Sequence, residues 1–371
     1  MSEQKADHIY SGIRWPVSVE ASVHRPEALA DDPAPYAGRD SFTFVHVRVR
    51  DSDGMVGDGF TGRFLAPEVA SFLNRVGGEI NGQEGDAIAA AMRRFNPRGM
   101  TGVVVSALGA LEIALVDLCG RRTGIAAWRM LGGKRDNAPV HVTCGFPALD
   151  NGALVAACAA EVAAGAGGIK VLVGAQGRTL GEDVARLTLV REAVGEGIDL
   201  IADANCAWSR ETAQDMVRAV DGLYLSWLEE PVRNNDAADL AALVVMGGVP
   251  IGAGQMEQSN NRFDQLIGAG VSMIQPNAVF TGGFNAAINA AQRAIAANLQ
   301  VSPAGGWDAI NLHWMCGAMN NGAVELHRAQ ARISRLLRPS HVLRNGRLWM
   351  SDAAGLGLNL DDKELARCRV G

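Results

Sequence analysis

The chain has 371 residues, 48% of them hydrophobic, and a formal net charge of −6. That length and apolar content can bury a large core, and two domains are expected; a mildly acidic balance with no long basic run leaves little for a nucleic-acid or membrane-surface role. The N-terminus lacks the apolar stretch of a secretory signal, no run reads as long enough to span a bilayer, and six scattered cysteines without paired spacing fit a reducing cytoplasm.

Taken in order, residues 9–23 and 41–50 alternate apolar and polar positions, and Asp53-Gly54 forms a turn before a third run at 55–60. This predicts antiparallel strands. Residues 24–40, rich in Pro and Asp, read as a loop. Helical spacing follows over 67–91 and 102–119, and the second stretch, SALGALEIALVDLCG, is apolar nearly all round and so predicts a buried helix. Gly132-Gly133 closes this first unit, residues 1–135, an α+β domain.

From about Asn137 the pattern becomes periodic. Short apolar runs at 140–143, 169–173, 200–202, 223–228, 250–253, 271–274, 299–301 and 323–326 alternate with helical segments. Eight strands repeating at roughly 22–33 residues predict an α/β fold, a closed (β/α)8 TIM-type barrel over 136–333 with the α+β unit as its capping domain. A doubly wound open sheet is the competing architecture, but no Gly-rich phosphate loop follows the first strand. The tail, 334–371, is expected to return to the capping domain.

Barrel chemistry gathers at the C-terminal ends of the strands. The second strand delivers Lys170, with Leu172 two residues on. The third delivers Asp203 and Asn205, the fourth Glu229 and Glu230, and the fifth Gln255 with Glu257 beyond it. The sixth ends in Gln275 and Asn277, the seventh in Pro303-Ala304, and the eighth in Glu325 and His327. Asp203, Glu229 and Gln255 recur about one βα repeat apart, and oxygen donors from consecutive strands suit a hard cation such as Mg²⁺. Each carboxylate alone reads equally well as a cap on the next helix. Lys170 beside such a cation is a proton acceptor, or else simply a partner for Glu229.

The stretches SALGALEIALVDLCGRRTGIAAWRMLGG, GGIKVLVG, DANCAW, WLEEP, GAGQ, QPNAVFTGGF and GLGL together resemble the enolase superfamily, in its mandelate racemase and muconate lactonizing enzyme branch. The resemblance implies a cap with a closing loop at about 11–40, an essential Mg²⁺, a small-molecule carboxylate substrate, abstraction of its α-proton, and a symmetric homo-oligomer. It matches Asp203 and Glu229 to metal ligands, with Gln255 or Glu257 as the third. It matches Lys170 to the first lysine of a Lys-x-Lys pair, whose second member is Leu172 here. It also implies that Glu325 hydrogen-bonds the substrate carboxylate. Asn277 stands where the family carries an Asp, and Pro303-Ala304-Gly305 occupies the turn of the catalytic His.

These departures remove the usual acid–base groups. The expected activity is a Mg²⁺-dependent lyase of the sugar-acid dehydratase kind, with Lys170 and Glu325 as catalytic residues. Asn205, Asn277, His24 and Tyr36 are the candidate substrate contacts, the last two from the closing loop. The alternatives are a degenerate member that binds metal and carboxylate without turnover, and a racemase or epimerase with one relocated base.

Overall fold

The structure is a computed structural model that describes residues 12–28, 42–80, 102–175 and 177–370. Three antiparallel strands open it: β1 (Ser18–His24), β2 (Phe44–Arg50) and β3 (Val56–Thr61), in that order. Helices α1 (Ala66–Ile80) and α2 (Val103–Thr123) cover this sheet, and a short α3 (Ala127–Met130) follows. Helix α1 occupies the first part of the expected 67–91 span, whose later residues lie outside the described ones. Helix α2 ends where Gly124 adopts a left-handed φ of 72° and returns its N–H to the Gly120 carbonyl, closing the last turn.

Helix α2 is buried on nearly every side, as its composition predicts. By length and composition it could cross a membrane, which corrects the expectation that no run is long enough; here 78% of the apolar window is buried inside the fold. Glycines admit this closeness. A Cβ on Gly59 would sit 2.1 Å from the Ala110 carbonyl oxygen, and one on Gly109 would sit 2.7 Å from the Gly282 carbonyl carbon. The first contact seats α2 on β3; the second seats it against the barrel.

The barrel strands are β4 (Asn137–Gly145), β5 (Gly168–Leu172), β6 (Asp199–Asp203), β7 (Trp227–Glu229), β8 (Ile251–Ala253), β9 (Met273–Ile274), β10 (Gln300–Val301) and β11 (Val324–His327). All pair in parallel in sequence order, and β11 returns to β4. The seam between β10 and β11 is bridged by Ser302 Oγ, which donates to the Ala323 carbonyl at 3.0 Å. The expected (β/α)8 barrel with its α+β cap is therefore the architecture found. The fourth strand is shorter than its apolar run because Gly222 and Tyr224 take left-handed φ values of 84° and 50°, turning the chain before Trp227.

Helices between the strands start on side-chain caps. Asp150 caps α4 (Asn151–Ala163), Thr179 with Glu182 forms a capping box on α5 (Leu180–Val194), and Ser209 caps α6 (Arg210–Ala219). Beyond the last barrel strand, a hairpin of β12 (Val342–Arg344) and β13 (Arg347–Trp349) pairs antiparallel with the start of β4. The chain then passes along α2, where the Leu356 N–H donates to Asp117, and ends beside β1, where the Val370 N–H meets the Val23 carbonyl.

Candidate active site at the barrel rim

Parallel strands with a side-chain period of two send Lys170, Asp203, Glu229 and Glu325 into the barrel mouth. Lys170 lies at their centre, 2% exposed. Its Nζ donates to Glu229 Oε1 at 2.7 Å and to Glu325 Oε2 at 3.2 Å, and stands 3.9 Å from Asp203 Oδ2. Burial alone would lower its pKa, but Glu229, Glu325 and Asp203 overcome that and raise it above the ordinary lysine value. These carboxylates favour the charged ammonium form of Lys170.

Glu229 is fully engaged. Its Oε2 accepts from Trp227 Nε1 at 3.1 Å and Gln275 Nε2 at 2.7 Å, in addition to Lys170 on Oε1. Glu325 accepts Thr143 Oγ1 on one oxygen; on the other it takes Lys170 and the N–H groups of Gly305 at 2.5 Å and Gly306 at 3.3 Å. Burial would raise its pKa, yet Lys170 and His327 bring it down to about 2. Through these four donors Glu325 is tied to Thr143, Lys170 and the Gly305-Gly306 turn. That turn requires glycine: φ is +82° and +71°, and a Cβ on Gly305 would lie 2.6 Å from Gln255 Cδ.

Asp203 is 5% exposed, and burial followed by repulsion from Glu229 raises its pKa well above the ordinary aspartate value. Glu230, behind it, is raised by burial and by Glu229 as well. One ammonium thus faces the three carboxylates of Asp203, Glu229 and Glu325, an excess of buried negative charge that a divalent cation would neutralise. Among the described residues no three His, Cys, Asp or Glu converge as a metal cluster. Asp203 and Glu229 supply two oxygen donors on paired strands, and the neutral amide of Gln255 shares the pocket with Asp203. Glu257 does not join them: its carboxylate is bound by Arg262 Nε at 2.9 Å and Nη2 at 3.0 Å, and by Asn235.

Above this floor opens a cavity of about 340 Å³. Asp203, Asn205, Gln255 and Glu325 face it, with Leu172, Phe42, Phe64, Phe146, Phe280 and Trp307 supplying apolar wall and Arg63 and His327 polar tips. Asn205, with a left-handed φ of 47°, reaches the cavity wall. Two other expected contacts do not. Asn277 is buried as a brace: it donates to the Ala304 and Gly306 carbonyls and caps the helix at Ala278. His24 is the last residue of β1, 3% exposed, bonded to Ser22 and the Leu365 carbonyl and stacked on Phe44 inside the cap. It lies on a strand because the alternation runs through it; the Pro- and Asp-rich loop begins after it. Tyr36 lies outside the described residues.

Thr143 and Trp227 were not singled out from the sequence, and Gln275 was read only as a strand-end residue, although the three hold Glu325 and Glu229 in place. Strand period alone flags Thr143 and Trp227, each two residues from a neighbour facing the same way.

Two family models cover most of the chain. The mandelate racemase/muconate lactonizing enzyme N-terminal domain matches residues 22–132, and the enolase C-terminal domain-like model matches residues 153–364. An L-talarate/galactarate dehydratase of Salmonella typhimurium is 32% identical over 269 residues, 71% of this chain and 66% of that protein's length. A crystal structure of a racemase from Streptomyces coelicolor with bound magnesium superposes with a TM-score of 0.85 at 26% identity, covering 96% of this chain and all of that one. The Salmonella dehydratase liganded with Mg and L-lyxarohydroxamate gives 0.84 at 27% identity, over 97% of this chain and 93% of its own.

Proposed function

The chain belongs to the enolase superfamily, in its mandelate racemase and muconate lactonizing enzyme branch, and from that premise we propose a Mg²⁺-dependent lyase that dehydrates a sugar acid or similar α-hydroxy carboxylate. The observation that carries this reading is the buried charge imbalance at the rim, one ammonium against three carboxylates beneath a ligand-sized cavity. Asp203, Glu229 and the Gln255 amide oxygen are the residues to hold the cation. Bound there, Mg²⁺ supplies positive charge against which a substrate carboxylate can take up the electron pair of a departing α-proton.

The chain's own residues do the rest. Lys170 adds a second fixed positive charge below the substrate carboxylate, and Glu325 with Thr143 keeps that ammonium in place. Asn205 offers an amide to a substrate hydroxyl from its position on the cavity wall. The aromatic wall of Phe42, Phe64, Phe146, Phe280 and Trp307 keeps water from the reacting carbon. The test is to incubate Mg²⁺-loaded protein with galactarate, L-talarate and a panel of other sugar acids, and to follow 2-keto-acid formation. Keto-acid product from any of them supports the lyase; α-deuterium incorporation from D₂O without product would replace it with a racemase.

One observation favours a second reading. Leu172 contributes only aliphatic surface to the cavity, and Ala304, in the turn that the resemblance matches to a catalytic His, is buried and carries only a methyl group. A protein that binds metal and carboxylate without turnover fits those two positions. It predicts thermal stabilisation by sugar acids in the presence of Mg²⁺, with neither product nor exchange.

A further inference from the structure

A dehydration is served by a group that takes a proton from one carbon and can return it to the leaving hydroxyl, and the titratable side chains among the described residues around the cavity reduce the choice to one. Asp203 belongs to the carboxylate cluster, and Glu325 is saturated by four donors. Lys170 is locked beneath both. Arg63, Arg328 and Arg332 line the cavity but carry guanidinium groups, which do not release a proton in this range. His327 is the remaining titratable group among the described residues of the cavity wall.

Its placement suits the task. His327 is the last residue of β11, two beyond Glu325, so it projects from the same face one step nearer the mouth. It pairs in register with Thr143, which pairs in turn with Lys170, so imidazole and ammonium stand level on strands separated by one intervening strand. The ring is held between aromatic neighbours, its centroid 5.5 Å from Phe146 and 6.2 Å from Phe42. Nδ1 is buried and meets no hydrogen-bond partner. The imidazole feels the charge of Glu325 and Lys170, but no hydrogen bond to either ties it down, and it lines the cavity where it can exchange a proton with a ligand.

We propose that His327 is the proton-transfer residue of this site, replacing the side chains that Leu172 and Ala304 do not provide; the proposal rests on the dehydratase reading above. The neutral imidazole takes the α-proton, and the C–H electron pair moves into the carboxylate. That pair then returns to form the α,β double bond as the β C–O bond breaks. The departing hydroxyl collects the same proton from the imidazolium and leaves as water. The resulting enol rearranges to the 2-keto acid, and the imidazole ends neutral as it began. Burial lowers the His327 pKa, which keeps the ring in the accepting form near neutrality.

The experiment compares Mg²⁺-loaded wild type with His327→Asn and His327→Gln on the sugar acid that wild type dehydrates fastest. Keto-acid formation and α-proton exchange in D₂O are expected to fall together by about 10²- to 10⁴-fold. The same acid should still raise the melting temperature of each variant as it does that of wild type. Two substitutions of different length are used so that failure of one to fold leaves the other to decide. Activity within about fivefold of wild type in either folded variant overturns the proposal. So does loss of the ligand-induced melting shift along with turnover, since His327 would then be a binding group. A wild type that dehydrates nothing in the panel removes the lyase reading first, and the proposal with it.

Discussion

A lysine ammonium among three carboxylates, all withdrawn from water, is a balance that one substitution upsets. Lys170→Met leaves Asp203, Glu229 and Glu325 facing one another with no fixed positive charge. Breaking a buried pair in this way typically costs about 3–5 kcal/mol. Urea unfolding is expected to register a loss of that order, partly recovered by millimolar Mg²⁺; no response to Mg²⁺ would argue against a cation at Asp203 and Glu229. Gln255 offers the converse test. Gln255→Glu adds a full charge to the donor set and is expected to tighten Mg²⁺ binding by about tenfold or more, measured by calorimetry. An unchanged affinity would take Gln255 out of the site. The positions of these residues were legible because strand ends announce themselves by period, but their states were not. Whether Lys170 accepts or keeps a proton depends on how many carboxylates converge on it, which a linear chain does not display.

At the scale of the element, barrel strands and helices were legible through alternation, apolar runs and caps. Thr179 and Glu182 make a reciprocal capping box at the start of α5, the helix that follows the strand carrying Lys170. Thr179→Ala is expected to lower stability by about 1 kcal/mol while leaving Mg²⁺ affinity unchanged, since the cap lies outside the carboxylate cluster. A large loss of metal binding would mean that α5 helps to set the site. What the elements concealed were boundaries and braces. The run at 223–228 is apolar except for Ser226, but left-handed backbone at Gly222, just before it, and at Tyr224 spends its first half on a turn. Asn277 sits where a ligand contact was expected, and its amide instead ties the sixth strand end to the Gly305-Gly306 turn through carbonyls from a distant loop. Such cross-strand bonds leave no local signature.

For the whole molecule, two buried histidines make stability depend on acidity. Burial, with His46 nearby, lowers the pKa of His24 from 6.5 to about 4, and burial with His341 lowers that of His313 to about 3. Below pH 6.5 the unfolded chain takes up protons that the folded one refuses, so stability falls as pH falls through that window and is fully present above it. His24 alone is expected to remove about 2 kcal/mol between pH 7 and pH 5. Urea midpoints at those two values should therefore drop more for wild type than for His24→Gln; equal drops would place the acid sensitivity elsewhere. The organisation of cap and barrel was legible from the change of rhythm near Asn137, whereas the burial of His24 was not, because its last contacts come from residues near the opposite end of the chain.

Helix α2 also sets a problem in time. It is a 21-residue apolar segment whose partners include Gly282 and Gly283 of the barrel. A ribosome delivers those partners roughly 160 residues after the helix has emerged, on the order of 10–30 s later at ordinary elongation rates. Through that interval the nascent chain displays a stretch with the length and hydropathy of a membrane anchor. The cap sheet, made earlier, can shelter one side of it; the barrel-facing side must wait. Translation speed and holding chaperones therefore bear on the yield of this protein more than its finished stability would suggest.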